Sequence, residues 1–74
     1  MPTTSSETVE IIVNGERKIV HTGLTVATLL PHLGVDPERV AIELDRSIVR
    51  RERWAEIQIG SGAQLEIVQF VGGG

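Results

Sequence analysis

Few side chains in this sequence belong to the types that do covalent chemistry, and those few are dispersed. Self-contained catalysis needs a nucleophile beside a base, a pair of carboxylates, or clustered metal ligands. His21 and His32 stand well apart and read as isolated surface histidines. The acidic residues occur singly, and no HExxH, CxxC or P-loop pattern is present. Gly60-Ser61-Gly62 resembles a phosphate loop only superficially, because no Gly-Lys-Ser/Thr follows and no helix opens there; it reads as a tight turn before a strand. The remaining chemistry lies in the closing run Gln69-Phe70-Val71-Gly72-Gly73-Gly74. Gly72, Gly73 and Gly74 have no side chains, so they fit a channel too narrow for other residues and adopt whatever backbone angles a partner demands. The group they present is the α-carboxylate of Gly74, expected on a flexible tether over 72–74. A carboxylate is a poor electrophile until one oxygen becomes a leaving group. Acyl-adenylation with ATP achieves that, and a sulfur nucleophile then displaces AMP. A chain whose reactive group is its own end needs no internal active site.

Size and charge narrow the field. Seventy-four residues make one domain, too small to house a deep walled active site. A net charge of −3 argues against nucleic acid, since neutralising phosphates needs an excess of Lys and Arg. Four cations do cluster, as Arg46, Arg50, Arg51 and Arg53 around Glu52; they read as a solvated rim, with a docking surface for an acidic partner as the competing reading. With no cysteine there is no disulfide and no thiolate metal site, which fits a reducing cytoplasm. No apolar stretch approaches the roughly 20 residues that span a bilayer, and residues 1–7 read as a disordered lead-in without secretory features.

The elements that must carry the tail follow from periodicity. Val9, Ile11 and Val13 alternate with Glu10 and Ile12 as a half-buried strand. Asn14-Gly15 signals a hairpin into Glu16-Arg17-Lys18-Ile19-Val20. An odd-length loop with Gly15 at positive φ is the expected register, because it sets Ile19 across from Val9. Thr25 suits a helix N-cap, Val26, Leu29, Leu30 and Leu33 recur at helical spacing, and Gly34 suits the C-terminal cap. Pro31 is expected to distort the last turn. A strand carrying Val40, Ile42 and Leu44 inward follows, then a short strand at Ile48 and Val49. Trp54 anchors an irregular segment, and the last strand carries Leu65, Ile67, Gln69 and Val71 against Glu66, Val68 and Phe70. This order describes an α+β domain over 8–71, a ubiquitin-like β-grasp with a mixed sheet of about five strands and one helix on one face. The helix is expected over Ile11, Ile42 and Ile67. Ile12, Val68 and Phe70 lie on the uncovered face, where an apolar patch marks a binding surface.

Here the sequence resembles the ThiS sulfur carrier proteins of thiamine biosynthesis, over residues 9–74. The resemblance rests on "VNGE", "LTVATLL", "VAIEL" with its following turn and "IV", and above all on "RERWAEI" and the closing "LEIVQFVGGG". Arg50 replaces a proline frequent in that family, and Gly62-Ala63 a Gly-Asp, without touching the tail. The resemblance implies a carrier rather than an enzyme, with no bound cofactor. A ThiF-type adenylating enzyme would use ATP to activate Gly74, and sulfur originating from cysteine desulfurase would convert it to a thiocarboxylate. A ThiG-type thiazole synthase would receive that sulfur. Gly73 would complete the Gly-Gly ending, and Val68 and Phe70 would match the docking positions. The nearest rival is a MoaD-like small subunit of molybdopterin synthase, with the same tail chemistry and a pterin acceptor; the "RERWAEI" segment and the short length favour thiamine. A ubiquitin-like protein modifier, which conjugates to lysines, and a plain binding module are more distant rivals.

Overall fold

The computed structural model describes residues 7–70. Strands β1 (Thr8–Val13), β2 (Glu16–His21), β3 (Val40–Leu44), β4 (Ser47–Val49) and β5 (Gln64–Gln69) form one sheet in the order β2-β1-β5-β3-β4. Helix α1 (Val26–His32) lies between β2 and β3 in the chain, and short 3-10 turns occupy Pro37–Arg39 and Arg51–Arg53. Residues 1–6 of the lead-in expected over 1–7 lie outside the described residues, as do Val71, the last residue of the expected domain, and the tail expected over 72–74. Glu7 is tied in, its carbonyl accepting from Thr22 N at 2.8 Å.

The first hairpin corrects the expected register. Asn14 and Gly15 have φ values of 51° and 85°, and Val13 pairs directly with Glu16, so the turn has two residues with both in the left-handed region. That geometry matches the natural twist of the strands and needs no extra residue. Ile19 therefore pairs with Glu10 rather than Val9, and points away from the core, 65% exposed. Val20, opposite Val9, takes the inward place. The sequence offers apolar residues in both phases there, and the turn decides between them.

Helix α1 is short, so its ends matter more than its length. Thr25 Oγ1 accepts from Thr28 N at 3.2 Å while Thr28 Oγ1 accepts from Thr25 N at 2.8 Å, a reciprocal capping box. The next two orphan amides are met by the segment after β4: Val26 N donates to Ile57 O at 3.0 Å and Ala27 N to Trp54 O at 3.1 Å. The irregular "RERWAEI" stretch thus acts as a lid on the helix N-terminus. Trp54 anchors it, buried, with Nε1 donating to Val49 O at 2.9 Å and the Arg51 guanidinium carbon 4.6 Å from the ring centroid. At the other end Gly34 (φ 71°) closes the helix, with Gly34 N on Pro31 O and Val35 N on Leu30 O, both 3.1 Å. Pro31 stays within the helix, and the last turn tightens so that Leu33 N is shared between Leu29 O at 3.2 Å and Leu30 O at 3.0 Å.

The helix packs Val26, Leu29 and Leu30 against Ile11, Ile42 and Leu65 of the three central strands, all fully buried; Ile67 is half-buried at the margin. No polar side chain is buried among the described residues. The strand that leads toward the tail, β5, occupies the middle of the sheet, parallel to β1 and antiparallel to β3.

Candidate docking face and tail strand

Alternation along β5 sends Leu65 into the core and Glu66 and Val68 to the face opposite α1; Phe70, just past the strand, follows in that row. Register places Ala41 directly across from Val68. Phe70 N donates to Arg39 O at 2.7 Å, extending the attachment to the β3 side past the end of the strand. Val68 and Phe70 are each 56% exposed. Sequence reasoning placed both correctly on the uncovered face.

Two further large apolar residues share that face, Ile19 on edge strand β2 and Ile48 on edge strand β4, at 65% and 75% exposure. Sequence reading missed both. The signal was available in the turns: counting outward from two-residue connections at Asn14-Gly15 and Asp45-Arg46 puts Ile19 opposite Glu10 and Ile48 opposite Glu43.

Ile12 is on this face too, half-buried, but it pairs with Gln64, about 13 Å down β5 from Val68 at roughly 3.3 Å per residue. The face accordingly has two halves. Toward the tail it is apolar, with Ala41, Val68 and Phe70. Toward the other end it carries charge, with Glu10 paired to Arg17 at 3.2 Å and Glu43 directly opposite Glu66.

His21 and His32, isolated in the sequence, face each other edge to face in the fold, with centroids 6.4 Å apart. They line an open concavity of about 580 Å³ between β2 and the end of α1. Among the described residues no group of three or more His, Cys, Asp or Glu side chains could hold a metal. Gly60 to Gly62 form a tight turn closed by Ala63 N on Gly60 O at 3.2 Å. Arg53 pairs with Glu56 at 2.8 Å and Arg51 covers Trp54. Among the described residues no helix is long and apolar enough to cross a membrane. Gly72, Gly73 and Gly74, the residues given the chemistry, lie outside the described residues.

Comparison with known proteins fits this geometry. Two proteins named thiazole synthase, from Paramagnetospirillum magneticum and Magnetococcus marinus, are 40% and 37% identical to the chain over 65 residues. The match takes 88% of this chain and 20% of each relative, so the chain spans about one fifth of the curated relatives it matches. The crystal structure of a thiamine biosynthesis protein (ThiS) from Geobacter metallireducens superposes with a TM-score of 0.78 at 32% identity, covering 89% of this chain and all of that one. A computationally designed protein templated on human erythrocytic ubiquitin gives a TM-score of 0.54 at 18% identity, covering 92% and 96%, and shares the fold alone. The family model that matches runs across residues 4–74, through the sheet and on through the glycines; by that match the chain belongs to the ThiS family.

Proposed function

We propose that this chain is the sulfur carrier of thiazole formation in thiamine biosynthesis, with Gly74 as its reacting residue. The observation that carries the reading is the family match, which extends through Gly74 on a chain whose described residues form a complete core and no catalytic cluster. In the first step a Gly74 carboxylate oxygen attacks the α-phosphorus of ATP in a ThiF-type enzyme and pyrophosphate leaves. A sulfur nucleophile, derived from cysteine desulfurase, then attacks the acyl carbon and AMP departs with the bonding pair. Where that nucleophile is the desulfurase's persulfide, a thiol such as the excess cysteine then cleaves the acyl–S–S bond. The thiol is itself oxidised to a disulfide and leaves the thiocarboxylate, so that one carboxylate oxygen has been exchanged for sulfur. The thiocarboxylate stays ionised at neutral pH and is a better nucleophile than the carboxylate, yet it remains tethered to a docking handle. Gly72 and Gly73 thread the reacting end into partners.

Val68 and Phe70, with Ala41 beside them, form the contact that both partners use in turn; Ile12 extends it toward the charged half. Successive use requires release, which suits a modest interface. A ThiG-type thiazole synthase as acceptor is supported by the two relatives of that name, in which a segment like this chain belongs to the same polypeptide.

Intact mass spectrometry after incubation with ATP, a ThiF-type enzyme, cysteine desulfurase and cysteine tests the reading. A gain of about 16 Da, sulfur for oxygen, is expected. Adducts of protein size would instead mean conjugation, and an unchanged mass would leave a plain binding module. Transfer of that sulfur to a pterin rather than to thiazole would place the chain with molybdopterin synthase.

A further inference from the structure

The ladder between β1 and β5 is short. It pairs Ile12 with Gln64 and Val13 with Leu65, Asn14 N donates to Leu65 O at 2.8 Å, and β1 then turns away. β5 continues through Gln69, held from the β3 side up to Phe70. On the vacated side the partner is a side chain. Asn14 Oδ1 accepts from Ile67 N at 2.7 Å, and Asn14 Nδ2 donates to Ile67 O at 3.2 Å, across 53 residues of sequence. A primary amide offers the same donor and acceptor as a peptide group. Asn14 therefore adds one rung to the ladder after the backbone has left it.

The turn alone does not require this residue. Glycine adopts the φ of 51° found here without steric cost. Aspartate tolerates that φ and keeps the acceptor for Ile67 N, but it sets a second oxygen against the Ile67 carbonyl. Asparagine alone combines the turn conformation with both bonds. Ile67, whose N–H and C=O it holds, immediately precedes Val68.

We propose that Asn14 is a positioning residue of the carrier cycle: by clasping Ile67 it fixes the orientation in which Val68 and Phe70 meet the activating enzyme. This rests on the sulfur-carrier function proposed for the chain. The test compares Asn14→Gly and Asn14→Asp with Val20→Ala, a core change on β2 that lowers stability without touching β5. Three quantities are read on each protein: amide exchange at Ile67 relative to Ile11 by NMR, and KM and kcat for the carrier in ATP-dependent adenylation by a ThiF-type enzyme. For Asn14→Gly, Ile67 exchange should accelerate and KM should rise about fivefold, the equivalent of one net hydrogen bond, with kcat within about twofold of wild type. Asn14→Asp should fall between, and Val20→Ala should leave KM unchanged despite its lower melting temperature. An unaltered KM for Asn14→Gly, or an equal rise in Val20→Ala, overturns the proposal and leaves Asn14 a structural residue. Ile67 exchange that ignores Asn14→Gly also overturns it, while the carrier function stands. A wild-type chain that is never adenylated overturns that function, and this proposal with it.

Discussion

The two faces of the sheet obey different rules. The face under α1 buries Ile11, Ile42 and Leu65 completely, and every amide of the helix's first turn has a partner. The opposite face leaves Ile19, Ile48, Val68 and Phe70 more than half exposed and sets Glu43 across from Glu66. Like charges directly opposite one another on adjacent strands lower stability. Folding explains the first face in full. The second is the face proposed to dock partners, and its apolar half lies at the end of the sheet from which the chain continues to the glycines.

Mutations should separate the faces, and the largest effect belongs to the covered one. Leu30→Ala removes a fully buried side chain from α1 and should cost about 3–4 kcal/mol, most of the stability of so small a domain, read by urea denaturation. A cost under about 1 kcal/mol would mean that the helix does not organise the core. On the open face Phe70→Asp should shift stability by no more than about 0.5 kcal/mol. The same change should weaken affinity for the activating enzyme about tenfold or more by calorimetry, because truncated interface anchors carry most of such energy. Unchanged affinity would remove Phe70 from the docking surface.

Smaller effects sharpen the contrast. Thr25→Ala deletes one half of the capping box and should cost about 1 kcal/mol in thermal unfolding without altering partner affinity. Loss of affinity there would show that the covered face communicates with the open one. Glu66→Lys replaces repulsion with attraction across the β3–β5 pair and should raise stability by about 0.5 kcal/mol. A destabilised variant would mean that the glutamate pair serves the fold after all.

Much of this was legible in the sequence where local chemistry decides. Thr25 and Gly34 marked the helix ends because caps are read from single residue types, and the alternation of β5 placed Val68 and Phe70 outward because a strand has period two. Trp54 was readable as an anchor because a lone indole in so small a domain has to be packed. Register was harder. Ile19 and Val20 are both apolar, so pattern alone fits either phase, and the turn geometry at Asn14-Gly15 settles it. Contacts across long sequence separations left no local trace. The approach of His21 to His32 depends on how α1 lies beside β2, and the grip of Asn14 on Ile67 on which strands become neighbours. The 3-10 turns at Pro37–Arg39 and Arg51–Arg53 are too short to impose a period.

The central claim is that Gly74 carries the chemistry while the folded body serves as its handle. Tandem mass spectrometry on the C-terminal peptide, after sulfur loading, tests it most directly when wild type is compared with a chain lacking Gly74. The account predicts sulfur at the Gly74 carbonyl in wild type and none in the shortened chain, with the two melting within about 2 °C of each other. Sulfur found elsewhere, or gained equally without Gly74, would contradict it.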